Sequence, residues 1–273
     1  MKLALNGATT MKADLSTDIR AASRAGFDGL EIWAAKLRKY LGSNTTAELK
    51  SLLAEHRVEP YSINSIEHIT FRDAARHQNL LAECEELCRV AASIGCPYLV
   101  VVPSPVPGGM SRDEVTDESA RVLAELERIA ARHEVALAFE FLGQVGCSVQ
   151  TLAHADEIVR RVASPRVGLV IDSFHFHAGG STIESIESLD ASRLFIFHIN
   201  DAEPRPRAEL EDKHRLLPGL GVLPLGEIVG ALKRINYDAV TSVETFRPEY
   251  WERDPFELAQ AAHTATRQVI ENI

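Results

Sequence analysis

Four short apolar runs in this chain each end in a residue of metal-ligating type. Leu137-Ala138-Phe139 ends in Glu140, Val170-Ile171 in Asp172, Phe195-Ile196-Phe197 in His198, and Thr241-Ser242-Val243 in Glu244. Runs of this length and composition read as buried strands, so each delivers its polar residue to a strand tip. Three carboxylates gathered without a counter-charge repel one another and resist ionisation, whereas a divalent cation neutralises them and keeps them deprotonated. One imidazole with three carboxylates is a borderline-hard donor set. It suits one divalent metal ion, Mn²⁺, Zn²⁺ or Co²⁺ with Mg²⁺ also acceptable, and differs from a thiolate-rich structural zinc site. Any one of the four alone reads equally well as a capping or ion-paired group; recurrence on successive strands is what favours a metal.

Other residues of chemical interest flank these tips. Asp172 is followed by Ser173-Phe174-His175-Phe176-His177, where His175 is the expected substrate-facing donor and His177, on the other side of Phe176, the structural one. Asn200-Asp201 lies just beyond His198. Metal-bound histidines usually donate their other N–H to an oxygen, so this pair is a candidate to orient the imidazole or to contact a ligand. Asp212-Lys213-His214-Arg215 precedes the turn-forming Leu216-Leu217-Pro218-Gly219-Leu220-Gly221, which would bring Arg215 over the site; Asp212 and Lys213 read about as well as a solvated charge run. Asn6, Trp33 and Asn64 end strands on the remaining wall, where a tryptophan stacks on a sugar ring and an asparagine bonds hydroxyls, or where all three form a packing layer. The aromatic stretch Phe246-Arg247-Pro248-Glu249-Tyr250-Trp251 reads as a lid or as an interface in a homo-oligomer.

These tips need a scaffold. Strands are predicted near residues 2–8, 29–33, 59–64, 98–103, 136–141, 167–172, 194–199 and 239–244. Helices are predicted near 16–25, with Ser16 as N-cap and Gly26 as stop, then 45–56 from Thr45 or Thr46, 74–94, 112–133, 152–162, 183–189, 225–234 and 256–270. The fourth strand, Tyr98 to Pro103, is so apolar that both its faces must be covered. An eight-fold alternation over 273 residues predicts an α/β chain folded as a single (β/α)₈ TIM barrel, one domain spanning residues 1–273. A doubly wound sheet would carry a G-x-G-x-x-G fingerprint after an early strand, and strand 1 is followed by none. In such barrels the active site lies at the C-terminal mouth, where the four ligand-type residues end strands 5 to 8.

Composition narrows the partners. A 45% hydrophobic fraction with 25% charged residues can bury a sizeable core, and a net charge of −10 disfavours nucleic acid, whose nonspecific binding rests on phosphate neutralisation. Cys84, Cys88, Cys96 and Cys147 form no C-x-x-C pair; the first two, one helical turn apart, read as core residues in a reduced, cytoplasmic protein. The chain opens directly as a strand without a signal-type apolar segment, and no run nears the roughly 18–20 apolar residues of a membrane span. A soluble, unexported protein without membrane contact is expected.

With these motifs in place, the sequence resembles the xylose-isomerase-like barrel superfamily and, within it, the inosose (2-keto-myo-inositol) isomerase group. The resemblance runs nearly end to end, through Leu5-Asn6-Gly7-Ala8-Thr9-Thr10, the Asp172-to-His177 stretch, Phe197-His198-Ile199-Asn200-Asp201, and Ser242-Val243-Glu244-Thr245-Phe246-Arg247-Pro248-Glu249-Tyr250. It implies Glu140, Asp172, His198 and Glu244 as metal ligands, and His175 and Arg215 as substrate contacts. Endonuclease IV shares the superfamily, but Lys213 and Arg215 stand where its further ligands belong, and strand 4 ends Val102-Pro103-Ser104 without its histidine.

The implied reaction moves a carbonyl to the adjacent carbon of a small neutral polyhydroxy ketone through an enediolate, of the 2-keto-myo-inositol to 1-keto-D-chiro-inositol type. Glu140 and Glu244 would exchange the proton. Trp33 and Asn64 are further candidate substrate contacts. A keto-sugar 3-epimerase or a lyase on oxidised glycosides would use the same site, and a noncatalytic sugar-binding barrel is the rival of a different class.

Overall fold

A computed structural model describes residues 1–272. The barrel strands, in chain order, are β1 (Lys2–Asn6), β2 (Gly29–Trp33), β3 (Glu59–Ile66), β4 (Tyr98–Val101), β5 (Ala136–Glu140), β6 (Val167–Asp172), β7 (Leu194–Ile199) and β8 (Val240–Val243). Each lies parallel to its sequence neighbours, and β8 returns to β1 through Lys2↔Val240 to Leu5↔Val243. Closure leaves no unpaired edge.

Strand side chains alternate between two environments, as the pleat requires. Ala4, Val100, Ala138, Val170, Ile196 and Val240 fill the barrel interior, while their neighbours Leu3, Leu5, Leu99, Leu137, Phe139, Leu169, Ile171, Phe197 and Val243 pack in a second core beneath the helices. The strands are thus apolar on both faces along most of their length. Polar residues join the inward set only toward the C-terminal mouth.

The helices are α1 (Leu15–Ala25), α2 (Ala34–Leu41), α3 (Thr46–His56), α4 (Ala74–Ile94), α5 (Arg112–Arg132), α6 (Leu152–Val162), α7 (Ser173–Ala178), α8 (Ile183–Glu187), α9 (Leu225–Arg234), α10 (Pro248–Trp251) and α11 (Pro255–Glu271). Eleven among the described residues exceed the eight expected, because three of the connections carry an additional short helix. One of these, α2, follows β2 directly, built from helix formers around the buried Leu37. The N-cap of α1 is Asp14 rather than Ser16, since the Asp14 carboxylate accepts from the Thr17 amide. Thr45 caps α3 in a reciprocal box with Glu48. β3 runs to Ile66, so Asn64 lies within the strand and not at its tip. β4 stops at Val101, just short of Pro103, which has no N–H to extend the ladder.

All four cysteines are free thiols, with Cys84 and Cys88 on the buried face of α4. Among the described residues no helix is long and apolar enough to cross a membrane.

Candidate metal centre and cavity

Glu140 and Asp172 are the last residues of β5 and β6, His198 is the penultimate residue of β7, and Glu244 follows β8 directly. Each offers one ligand atom, and the four atoms lie within 4.8 Å of one another. His198 Nδ1 stands 3.0 Å from Glu140 Oε1, 3.3 Å from Glu244 Oε2 and 4.0 Å from Asp172 Oδ2. Above the cluster is a cavity of about 260 Å³ whose wall includes Glu140, Glu244, His175, Arg215, Trp33 and Asn64. Asp172 and His198 are not in that wall and are fully buried. The glutamates face the ligand space while the other two donors lie beneath them.

Arg215 reaches the centre from the ribbon that pairs Asp201–Ala202 with Arg215–Leu216 after β7. Its Nη1 donates to Asp172 Oδ2 at 2.7 Å and to Glu244 Oε2 at 3.0 Å, while Nη2 donates to Asp212 Oδ1 at 2.9 Å and to His175 Nε2 at 3.0 Å. The guanidinium lies 4.8 Å from the ring centre of Phe174 and 5.1 Å from that of Phe246. Since an arginine only donates, His175 Nε2 is the acceptor and its proton sits on Nδ1, a buried atom with no protein partner. His175 is carried by α7, whose N-cap is Asp172 itself, accepting the His175 amide at 2.9 Å. His177, on the same short helix, stays out of the cavity wall.

The flanking residues divide differently from expectation. Asn200 does not orient His198; it donates to Asp172 Oδ2 at 2.8 Å and to the Glu244 carbonyl at 3.1 Å. Asp201 is structural, accepting the amides of Gly219, Gly221 and Leu223 and so pinning the loop ahead of α9. Asn6 and Asn64 both donate to Glu244 Oε1, at 2.9 and 3.1 Å, so each has a carboxylate partner, although Asn64 also borders the cavity. Trp33 lines the cavity and meets Phe246 edge-on at 5.7 Å. Asp212 belongs to the site through Arg215, whereas Lys213 pairs with exposed Glu211 as a solvated charge. The 246–251 stretch folds onto its own barrel, with Trp251 Nε1 donating to the Ala8 carbonyl and the Leu217 amide donating to Tyr250 Oη.

One residue absent from the sequence reading is Glu31, in the middle of β2. Its Oε1 lies 2.9 Å from His198 Nε2, the ring nitrogen turned away from the ligand cluster. The available signal was a carboxylate flanked by Leu30 and Ile32 within a strand that is otherwise buried. Glu67, His68 and Gln144 also border the cavity from the loops after β3 and β5, where nothing in the sequence distinguished them.

Electrostatics separates the two glutamates that face the cavity. Burial pushes Glu140 up to about 7, with Glu244 and Asp172 adding to the rise and His198 opposing it. Burial acts the same way on Glu244, but the neighbouring His198 and Arg215 outweigh it and hold the group below the usual carboxylate range. His198 loses basicity to burial and regains more from Glu244, Glu31 and Glu140, which raise it well above an ordinary imidazole. Burial and the Arg215 charge lower His175 and keep it neutral. Glu31, Glu140, Asp172 and Glu244 therefore stand buried around a single guanidinium and one imidazole, an excess of negative charge that fits a dication.

The sequence profile of the xylose isomerase-like TIM-barrel family matches residues 19–269. The chain is 36% identical to the inosose isomerase of Bacillus velezensis, covering 99% of this chain and 97% of that one. It is 37% identical to the inosose isomerase of Bacillus subtilis, covering 99% and 98%. Among solved structures it superposes on an IolI protein crystallised with a bound zinc atom, with a TM-score of 0.97, 36% identity and coverage of 100% and 99%. The closed barrel, the donors gathered at its mouth and these matches together make the chain a member of the xylose isomerase-like TIM-barrel family.

Proposed function

We propose that this chain, one barrel domain over residues 1–273, is a divalent-metal-dependent inosose isomerase. It moves the carbonyl of a 2-keto-myo-inositol-type substrate to the adjacent carbon. The supporting observation is the layering of the donors: Glu140 and Glu244 border the cavity, while Asp172 and His198 are covered below it. Glu140, Asp172, His198 and Glu244 would hold the ion, which when bound supplies Lewis acidity to a ketone and its neighbouring hydroxyl. Identity to inosose isomerases over nearly the whole chain supports the substrate class. So does the cavity, whose volume of about 260 Å³ is that of a small-molecule site below the usual drug-sized range.

The chain's own groups then carry the proton. A glutamate oxygen removes hydrogen from the carbon bearing the hydroxyl, the electrons pass into an enediolate, the hydroxyl proton passes to the former carbonyl oxygen, and a proton is returned at the former carbonyl carbon. Glu244, held ionised, suits removal. Glu140, with its raised affinity for protons, suits return. His175 and Arg215 both border the cavity beside the developing oxyanion, Arg215 as the charged group and as the donor that fixes the neutral His175 tautomer through Nε2. Trp33 offers a ring face and Asn64 an amide to the polyol. The four free thiols suit a reducing, cytosolic compartment.

A panel of inososes and ketohexoses in deuterated water with Mn²⁺ or Zn²⁺, followed by NMR, tests the reading. Carbonyl migration with solvent deuterium entering an inosose is the expected result. Inversion at C3 of a ketose would move the assignment to a 3-epimerase, elimination to a lyase, and metal uptake with no exchange to a noncatalytic sugar-binding barrel.

A further inference from the structure

Glu31 is a carboxylate that the proton-transfer scheme does not use, in the interior of the barrel, fully buried and distant in sequence from every donor. Burying a carboxylate is costly unless its partners compensate it. Its partners come from both flanking strands and from across the barrel. Ser62 Oγ on β3 donates to Oε2 at 2.5 Å, Asn6 Nδ2 on β1 donates to Oε1 at 3.3 Å, and His198 Nε2 on β7 stands 2.9 Å from Oε1 as an ion-pair contact whose N–H is not aligned on the oxygen. Asn6 and Ser62 are the register partners of Glu31, so the two neighbouring strands lock the carboxylate in place. A hydroxyl and an amide alone would be served equally by a neutral glutamine. The imidazole would not, because a ring that ligates through Nδ1 must carry its proton on Nε2, and an anionic acceptor both fixes that tautomer and raises the basicity of the opposite nitrogen.

We propose that Glu31 is a positioning residue of the metal centre: its carboxylate accepts the Nε2–H of His198 and holds Nδ1 bare and aimed at Glu140, Asp172 and Glu244. The same carboxylate is tied to the proton-transfer group, since the Asn6 amide that approaches Glu31 also donates to Glu244 Oε1 at 2.9 Å. This role rests on the metal-dependent reading above.

The test is zinc affinity of Glu31→Gln, measured by competition with a chromophoric chelator and set beside thermal unfolding of the metal-stripped protein. Glutamine keeps the shape and one acceptor oxygen and removes the charge. Zinc binding should weaken about 10- to 100-fold, as is usual for loss of an outer-shell partner. The metal-stripped melting point should fall, since one partner of the buried Glu31–His198 pair has lost its charge, and zinc affinity is therefore compared at a temperature where both proteins are folded. A second measurement needs no variant: in zinc-loaded wild type, side-chain ¹⁵N–¹H correlation should show His198 protonated on Nε2. A folded Glu31→Gln protein that binds zinc as tightly as wild type overturns the role, as does a His198 proton found on Nδ1. Wild type that takes up no zinc, manganese or cobalt would instead overturn the metal reading itself, and this role with it.

Discussion

Arg215 and a dication should compete to neutralise the same two carboxylates, and Arg215→Met tests this. Arg215 is 1% exposed, with Nη1 on Asp172 and Glu244 and Nη2 on Asp212, whose side chain is 41% exposed. Methionine keeps much of the length and the contacts with Phe174 and Phe246 but removes the charge. In metal-stripped protein the change strands two buried carboxylates, a loss of about 3–5 kcal/mol. In a chain of this size each kcal/mol moves Tm by roughly 2–4 °C, so Tm should fall by roughly 6–20 °C. With saturating Zn²⁺, Asp172 and Glu244 have another cationic partner, and only the half-exposed Asp212 pair is lost. That deficit is about 1 kcal/mol, or roughly 2–4 °C. Thermal unfolding of both proteins with chelator and with excess zinc reads the difference. Equal deficits in the two states would mean that Asp172 and Glu244 do not turn to a metal.

Glu140→Gln and Glu244→Gln should each slow solvent-deuterium incorporation into an inosose by roughly 10²- to 10⁴-fold, the usual share of a general acid or base; exchange at the wild-type rate in either would remove that residue from proton transfer. Gly168→Ala should destabilise the protein by about 1–3 kcal/mol and weaken zinc binding, because a Cβ there would stand 2.5 Å from the Arg193 carbonyl oxygen and 2.6 Å from the Phe195 ring. A urea melt together with a chelator titration reads both effects, and loss of stability with unchanged zinc affinity would separate the packing at Gly168 from the metal site. His154 on α6 is lowered by burial and by Arg112, with Nε2 at 2.9 Å from Thr116 Oγ1. A histidine with a folded pKa below its unfolded value binds fewer protons when folded, so its stability contribution is present above about pH 6.5 and lost as pH falls through the folded value. His154→Gln should flatten that acid-side decline in chemical-denaturation midpoints, and an unchanged slope would contradict it.

The barrel was legible because its signals are local and redundant. Apolar runs, caps such as Thr45 with Glu48, and stops such as Gly26 and Gly95 mark elements without reference to the rest of the chain. The four candidate ligands, which the structure gathers at one point, stood out for the same reason, each being a polar residue of metal-ligating type that ends an apolar run. The short α2, α7 and α10 were missed as helices because pieces of four to eight residues owe their stability to packing at the mouth rather than to a long periodic pattern. The assignments of Asn200 and Asp201 erred through proximity in sequence. A strand tip places consecutive residues on opposite sides, so Asn200 and Asp201 reach Asp172 and the Gly219–Leu223 loop, while the carboxylate that stands against His198 Nε2 comes from β2 across the barrel.

Register explains why that partner could not be read from the chain. Asp172 lies directly opposite His198, yet Glu140 is paired with Val170, two residues short of Asp172, and His198 is paired with Ser242, two residues short of Glu244. Steps of two keep every donor facing inward while advancing along the strands, which is the stagger that closing a tilted barrel demands. A step of one would turn a donor out toward the helices. Such a step does occur lower down, between Leu169↔Leu194 and Val170↔Ile196, where β7 carries one extra residue, Phe195. Phe195 turns inward, stacking on Tyr98 with ring centres 4.8 Å apart, and Gly168 is the neighbour whose missing Cβ leaves room for its ring. The parity change brings His198 level and in phase with Asp172. The imidazole therefore owes its direction to two features remote from it in sequence, a bulge stabilised at the floor of the barrel and a carboxylate on β2. Both act through the closed sheet, and a closed sheet is a property of eight strands together that no single stretch of the chain carries.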